Sequence, residues 1–103
     1  MAKTLIGQAT ADQLVKWKEE HGALFAYEVE DRVAYLKSVD RNVYALAASK
    51  IRDAGPAKFN EVVVENIWVG GDETIRQDDR YYFGLIDFVE ELMAKKKGIL
   101  RSL

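Results

Sequence analysis

His21 is the only histidine in a chain that has no cysteine, and those two facts bound the chemistry before any fold is considered. Without cysteine there is no thiolate nucleophile, no disulfide and no Cys-type zinc site. His21 stands between Glu20 and Gly22, at the expected end of a helix, where an imidazole serves the helix C-terminus better than a substrate. No serine–histidine–aspartate or cysteine–histidine set can be assembled around it. The acids Asp72, Glu73, Asp78 and Asp79 form a second candidate cluster. A hard cation such as calcium asks for about six oxygens at defined spacing. These four acids lack the alternating pattern of a calcium loop, and Asp79 reads as a helix cap. The lysines Lys95, Lys96 and Lys97 are too short and isolated a run for a nucleic-acid groove, and the net charge of −2 supplies no basic face. Neither a dinucleotide fingerprint nor a phosphate-binding loop occurs. The residues therefore carry no catalytic, cofactor-binding or metal-binding assignment, and a non-enzymatic role in binding other proteins is expected.

The elements that would hold these side chains can be read from caps and periodicity. At 103 residues, with 49% hydrophobic residues, the chain has material for one core and one domain, 1–103. Residues 1–9 read as a loose lead-in. Thr10 and Gln13 have capping-box spacing, which predicts a helix to about Glu20 with Leu14 and Trp17 inward and Gly22 as terminator. The period then changes to two. Ala23, Phe25, Tyr27 and Val29, then Val33, Tyr35, Lys37 and Val39, flank a polar Asp31-Arg32 link and predict a hairpin. Asp40 caps a second helix with Val43, Leu46, Ala47 and Ile51 inward. Gly55-Pro56 ends that helix and begins a third, carrying Phe59, Val62, Val63 and Ile67, which Gly70-Gly71 terminates. Gly70-Gly71-Asp72-Glu73 resembles the signature tetrapeptide of diguanylate cyclases. No Phe follows Glu73, however, and those domains are much longer, so the stretch reads as a glycine terminator and a polar turn. Asp78 or Asp79 starts a fourth helix, with Tyr82, Leu85, Ile86, Val89, Leu92 and Met93 on one side and Lys95–Lys97 at its end. Gly98 and a short apolar tail, 98–103, follow. The expected fold is α+β and mostly helical: an N-terminal helix, a β-hairpin, then three helices packed on the hairpin.

The last two helices carry more apolar side chain than this scheme needs. The fourth spreads its apolar set over an arc of about 160°, from Phe88 through Tyr81, Leu92 and Leu85 to Ile86, whereas a surface helix needs only about 100°. Phe83 lies outside even that arc. On the third helix, Val64 and Trp68 form a second stripe. Either a central helix is covered on two sides, or part of this surface is an exposed patch for a partner or a second copy. On the second reading the partner-binding candidates are Val64, Trp68, Tyr81, Phe83, Phe88 and the tail residues Ile99, Leu100 and Leu103.

Three segments together carry a family resemblance: the opening ADQLVKWKEEHG, the hairpin FAYEVEDRVAYLKSVDR, and KFNEVVVENIWVGGDETIRQDD ahead of a C-terminal helix. Over roughly residues 11–95 the chain resembles the small tail assembly chaperones of long-tailed bacteriophages and prophages, most distinctively from Glu61 to Ile75. The resemblance implies a protein that binds the tape measure protein, helps recruit tail tube protein, self-associates and is absent from the finished particle. It also implies that a longer, frameshifted form can exist, for which codons of Lys95-Lys96-Lys97 would supply a slippery run. The competing readings are a head–tail connector or tail-completion subunit that stays in the virion, and a small regulatory protein-binding module. The N-terminal Met-Ala-Lys-Thr-Leu-Ile-Gly has one positive residue and no long apolar run. A cytoplasmic protein, neither secreted nor membrane-inserted, is therefore expected.

Overall fold

Thr10 and Gln13 make the reciprocal pair that their spacing predicts. The Thr10 hydroxyl accepts from the Gln13 amide at 3.1 Å, and Gln13 Oε1 accepts from the Thr10 amide at 2.9 Å. Helix α1, Ala11–His21, starts there and ends at Gly22, whose φ of 77° suits a residue without Cβ. The structure, a computed structural model, describes residues 4–89, 91–93, 96 and 98–103. Strands β1 (Leu24–Val29) and β2 (Arg32–Lys37) pair antiparallel with Val29 opposite Arg32. The link is thus Glu30-Asp31, one residue earlier than the expected Asp31-Arg32, with Glu30 in the left-handed region at φ 54°. Arg32 belongs to the strand because its neighbours are tied there: Asp31 O accepts from the Ile6 amide at 2.8 Å, and Ile6 O accepts from Val33 at 3.0 Å.

For residues 5–9, that pairing corrects the reading of the lead-in as loose, while Met1–Lys3 lie outside the described residues. Ile6 bridges Arg32 as a parallel neighbour, and the Ala9 amide donates to the Tyr35 hydroxyl at 3.1 Å. Residues 5–9 are docked on the sheet.

Asp40 caps α2, Arg41–Ala54, accepting from the Val43 amide at 2.8 Å. Helix α3, Pro56–Ile67, begins at a proline whose missing N–H costs nothing in the first turn. It ends at Ile67, and Trp68–Gly71 forms a strand, β3. Gly70-Gly71, expected to terminate a helix, lies in this strand and completes a three-stranded sheet in the order β1-β2-β3. The glycines are there for close approach. A Cβ on Gly71, at φ 118°, would lie 2.6 Å from Ala34 Cα and from Val33 O, and one on Gly70 would lie 2.8 Å from the Trp17 ring.

A short helix, α4 (Thr74–Gln77), and α5 (Asp79–Ile86) follow. The single fourth helix expected to run on to the lysines stops at Ile86. Tight turns continue the chain, with Phe88 donating to Leu85 O and Val89 to Ile86 O, and then a 3-10 turn spans Glu91–Met93. Of the three lysines expected to close that helix, Lys95 and Lys97 lie outside the described residues.

The fold is α+β and mostly helical, with β2 in the middle. One face of β2 presents Ala34 and Leu36 to a core that includes Val43 and Ala47 of α2, Val62, Val63, Val64 and Ile67 of α3, and Leu85, Val89 and Leu92. The other face presents Tyr35 to Trp17 of α1, ring centroids 5.6 Å apart. Covered on both faces, β2 has four consecutive buried residues, Val33 to Leu36. On α2, only Val43 and Ala47 of the expected inward set are buried; Leu46 and Ile51 are exposed.

Candidate functional site, an apolar groove beside the edge strand

Strand β1 is an edge: β2 pairs with one side of it and, among the described residues, no other strand takes its other side. Phe25, Tyr27 and Val29 share its core-side face, since Phe25 stands opposite Leu36 and Tyr27 opposite Ala34. Beyond them the chain returns through Phe88, Val89, Glu91 and Leu92, anchored where the Val39 amide donates to Leu92 O at 3.0 Å. Between β1 and this segment lies an open groove of about 460 Å³, walled by Phe25, Tyr27, Val29, Phe88 and Leu92 over a floor of Leu36. Glu28 and Glu91 also line it. Tyr27 and Phe88 hold its two walls together, ring centroids 5.6 Å apart. Gly84 lets α5 settle against the sheet here, because a Cβ there would come 2.9 Å from the Tyr27 hydroxyl. Burial, and then the charge of Asp87, raises the pKa of that hydroxyl above the usual tyrosine range. Phe25 is 37% and Phe88 44% exposed, a wet aromatic pair of the kind that anchors protein interfaces.

The sequence-derived candidates divide. Val64 is only 3% exposed and sits in the core. Helix α3 buries Val62, Val63, Ile67 and Val64 over an arc of about 200°, because the sheet and the flanking helices cover it on more than one side. Its assignment to a free surface is therefore corrected. Trp68 is half-buried on β3, packed against the core, with the Arg76 guanidinium 4.6 Å from the ring centroid. It forms no exposed stripe with Val64. Tyr81 donates its hydroxyl to Glu30 Oε2 at 2.7 Å, and Arg32 lies 5.6 Å from its ring centroid. It ties α5 to the hairpin turn. Phe83, at 60%, and Phe88 are exposed, as are Ile99, Leu100 and Leu103 of the tail. Of these, Phe88 alone belongs to the groove. Phe25 was missed, although its alternation with Tyr27 and Val29 marked the face it occupies.

Three of the four acids, Asp72, Glu73 and Asp78, are engaged in pairs and caps. Asp72 pairs with Arg32 and accepts from the Thr74 amide at 3.2 Å. Glu73 holds Arg76 through two hydrogen bonds, and Asp78 caps α5 through the Arg80 amide. Among the described residues, no three His, Asp or Glu side chains are grouped so as to hold a metal ion. No helix among them is long and apolar enough to cross a membrane. No known protein family, no curated protein and no solved structure matches the chain.

Proposed function

We propose that this protein acts without catalysis, as a binding module for apolar protein segments, and that it is a tail assembly chaperone whose client is a phage tape measure protein. One observation carries the binding role: an open groove walled by partly exposed aromatic rings beside a strand edge that no described residue pairs. A peptide laid there can bury side chains against Phe25 and Phe88 while its backbone pairs with β1, the mode called strand addition. The choice of client is supported by the resemblance of Glu61–Ile75 and its flanks to the phage tail chaperones. On this reading the protein works in the host cytoplasm during tail assembly, with tail tube protein as a second partner.

Co-expression with the tape measure protein tests the reading. The native chain keeps the client soluble and co-purifies with it, while Phe25→Ser with Phe88→Ser loses the client and retains the fold by circular dichroism. Equal recovery of client with native and variant chain overturns the groove as the binding surface. Mass spectrometry of purified particles separates chaperone from virion component: a chaperone is missing, and a connector or completion subunit is present.

A further inference from the structure

Residues 98–103 carry Ile99, Leu100 and Leu103, all exposed, Ile99 at 84% and the two leucines fully. Exposed apolar side chains on a short segment call for a surface to cover them, and the groove beside β1 is open in the same molecule. The charges match. Glu91 lines the groove, and the apolar residues of the tail are flanked and interrupted by Lys96 and Arg101. Among the described residues, nothing covers the tail or fills its own groove, so the two halves of this contact are presented outward by each chain.

We propose that the groove receives the 98–103 segment of a second copy of this chain, in a reciprocal exchange that closes a two-fold dimer. Each copy gives a tail and takes one, so the contact is made twice with the same residues and leaves neither groove nor tail open. Ile99, Leu100 and Leu103 cover Phe25, Phe88 and Leu92. Arg101 sits beside Glu91, and main-chain groups of the tail pair with the outer edge of β1. The exchange also occupies the surface offered to a client, so dimer and client complex compete. The dimer itself rests on the groove and the tail, not on the identity of any client.

Because the chain has no cysteine, Ser102→Cys accepts a single nitroxide label. Spin-labelled chain mixed with isotope-labelled, unlabelled-spin chain broadens the amides of Phe25, Tyr27 and Phe88 in the latter. Arg101→Glu in the tail donor weakens this broadening, and Glu91→Lys in the acceptor restores it. In sedimentation, Leu100→Ser with Leu103→Ser raises the dimer dissociation constant about tenfold or more. A monomer at every concentration overturns the proposal, as does a dimer indifferent to the tail variants. Broadening of only the labelled chain's own groove, after dilution into unlabelled protein, assigns the tail to its own body and also overturns it. A monomeric tail variant that still keeps the client soluble leaves the client reading standing, whereas a tail-dependent dimer that fails to bind client refutes that reading alone.

Discussion

Arg32 stands where the hairpin, β3 and α5 meet, and its partners make this corner sensitive to acid. Its guanidinium pairs with Asp72 and lies by the Tyr81 ring, whose hydroxyl donates to Glu30. The hydrogen bond from Arg32 is the main cause holding the Asp72 carboxyl below its usual pKa. A carboxyl depressed in the folded state binds its proton more readily when unfolded, so Asp72 stabilises the fold above the ordinary carboxylate pKa. That contribution fades as pH falls from about 4 through the lower folded value. Asp72→Asn is expected to lower stability at neutral pH and to flatten the acid limb of a Tm-against-pH curve; an unchanged acid limb would assign it to other carboxylates. Two apolar residues at the same scale make a contrasting pair. Val64→Ala opens space in the core and is expected to cost about 2 kcal/mol in urea unfolding, whereas Phe83→Ser, at a site 60% exposed, changes stability by less than about 0.5 kcal/mol.

At the scale of elements, the caps were legible and one strand was not. Thr10, Asp40 and Pro56 each begin a helix, because their side-chain chemistry settles the first turn locally. Strand β3 has no such local signature. Trp68-Val69-Gly70-Gly71 contains two residues that disfavour strands in isolation, and only the approach of Ala34 and Trp17 explains them. A glycine pair therefore read as a stop sign when it was a spacing device. Gly71→Ala should thus be costly, combining φ 118° with a backbone clash. The expected loss is about 3 kcal/mol, measurable by thermal unfolding, and a loss below about 1 kcal/mol would mean that β3 shifts at little cost. The end of α5 was hidden for a related reason. The apolar spacing from Tyr82 to Met93 suits a continuous helix and also suits tight turns that keep Val89 and Leu92 buried, so periodicity alone cannot tell them apart.

For the whole molecule, the surplus of apolar side chain was legible while its distribution was not. The sequence pointed to the third and fourth helices. In the fold, α3 hides its share inside, and the exposed remainder is spread over Ile6, α1, α2, Phe83, the surroundings of β1 and residues 99–103. The groove joins Phe25 to Phe88 across most of the chain, a juxtaposition that no local spacing encodes. The same long reach governs the order of assembly. Strand β2 meets β1 across a two-residue turn, but its other neighbour, β3, is separated from it in the chain by α2 and α3. Closing that loop is slow and late by comparison with the hairpin. Substitutions in β3 such as Gly71→Ala are therefore expected to accelerate unfolding while leaving the refolding rate nearly unchanged in stopped-flow chevrons; a slowed refolding limb would place β3 in the nucleus. A nascent chain that has emerged only as far as α2 holds Ala34 and Leu36 bare until the next forty residues or so are made. For a protein expected to shelter another's greasy segments, the first such segment it must shelter is its own middle strand.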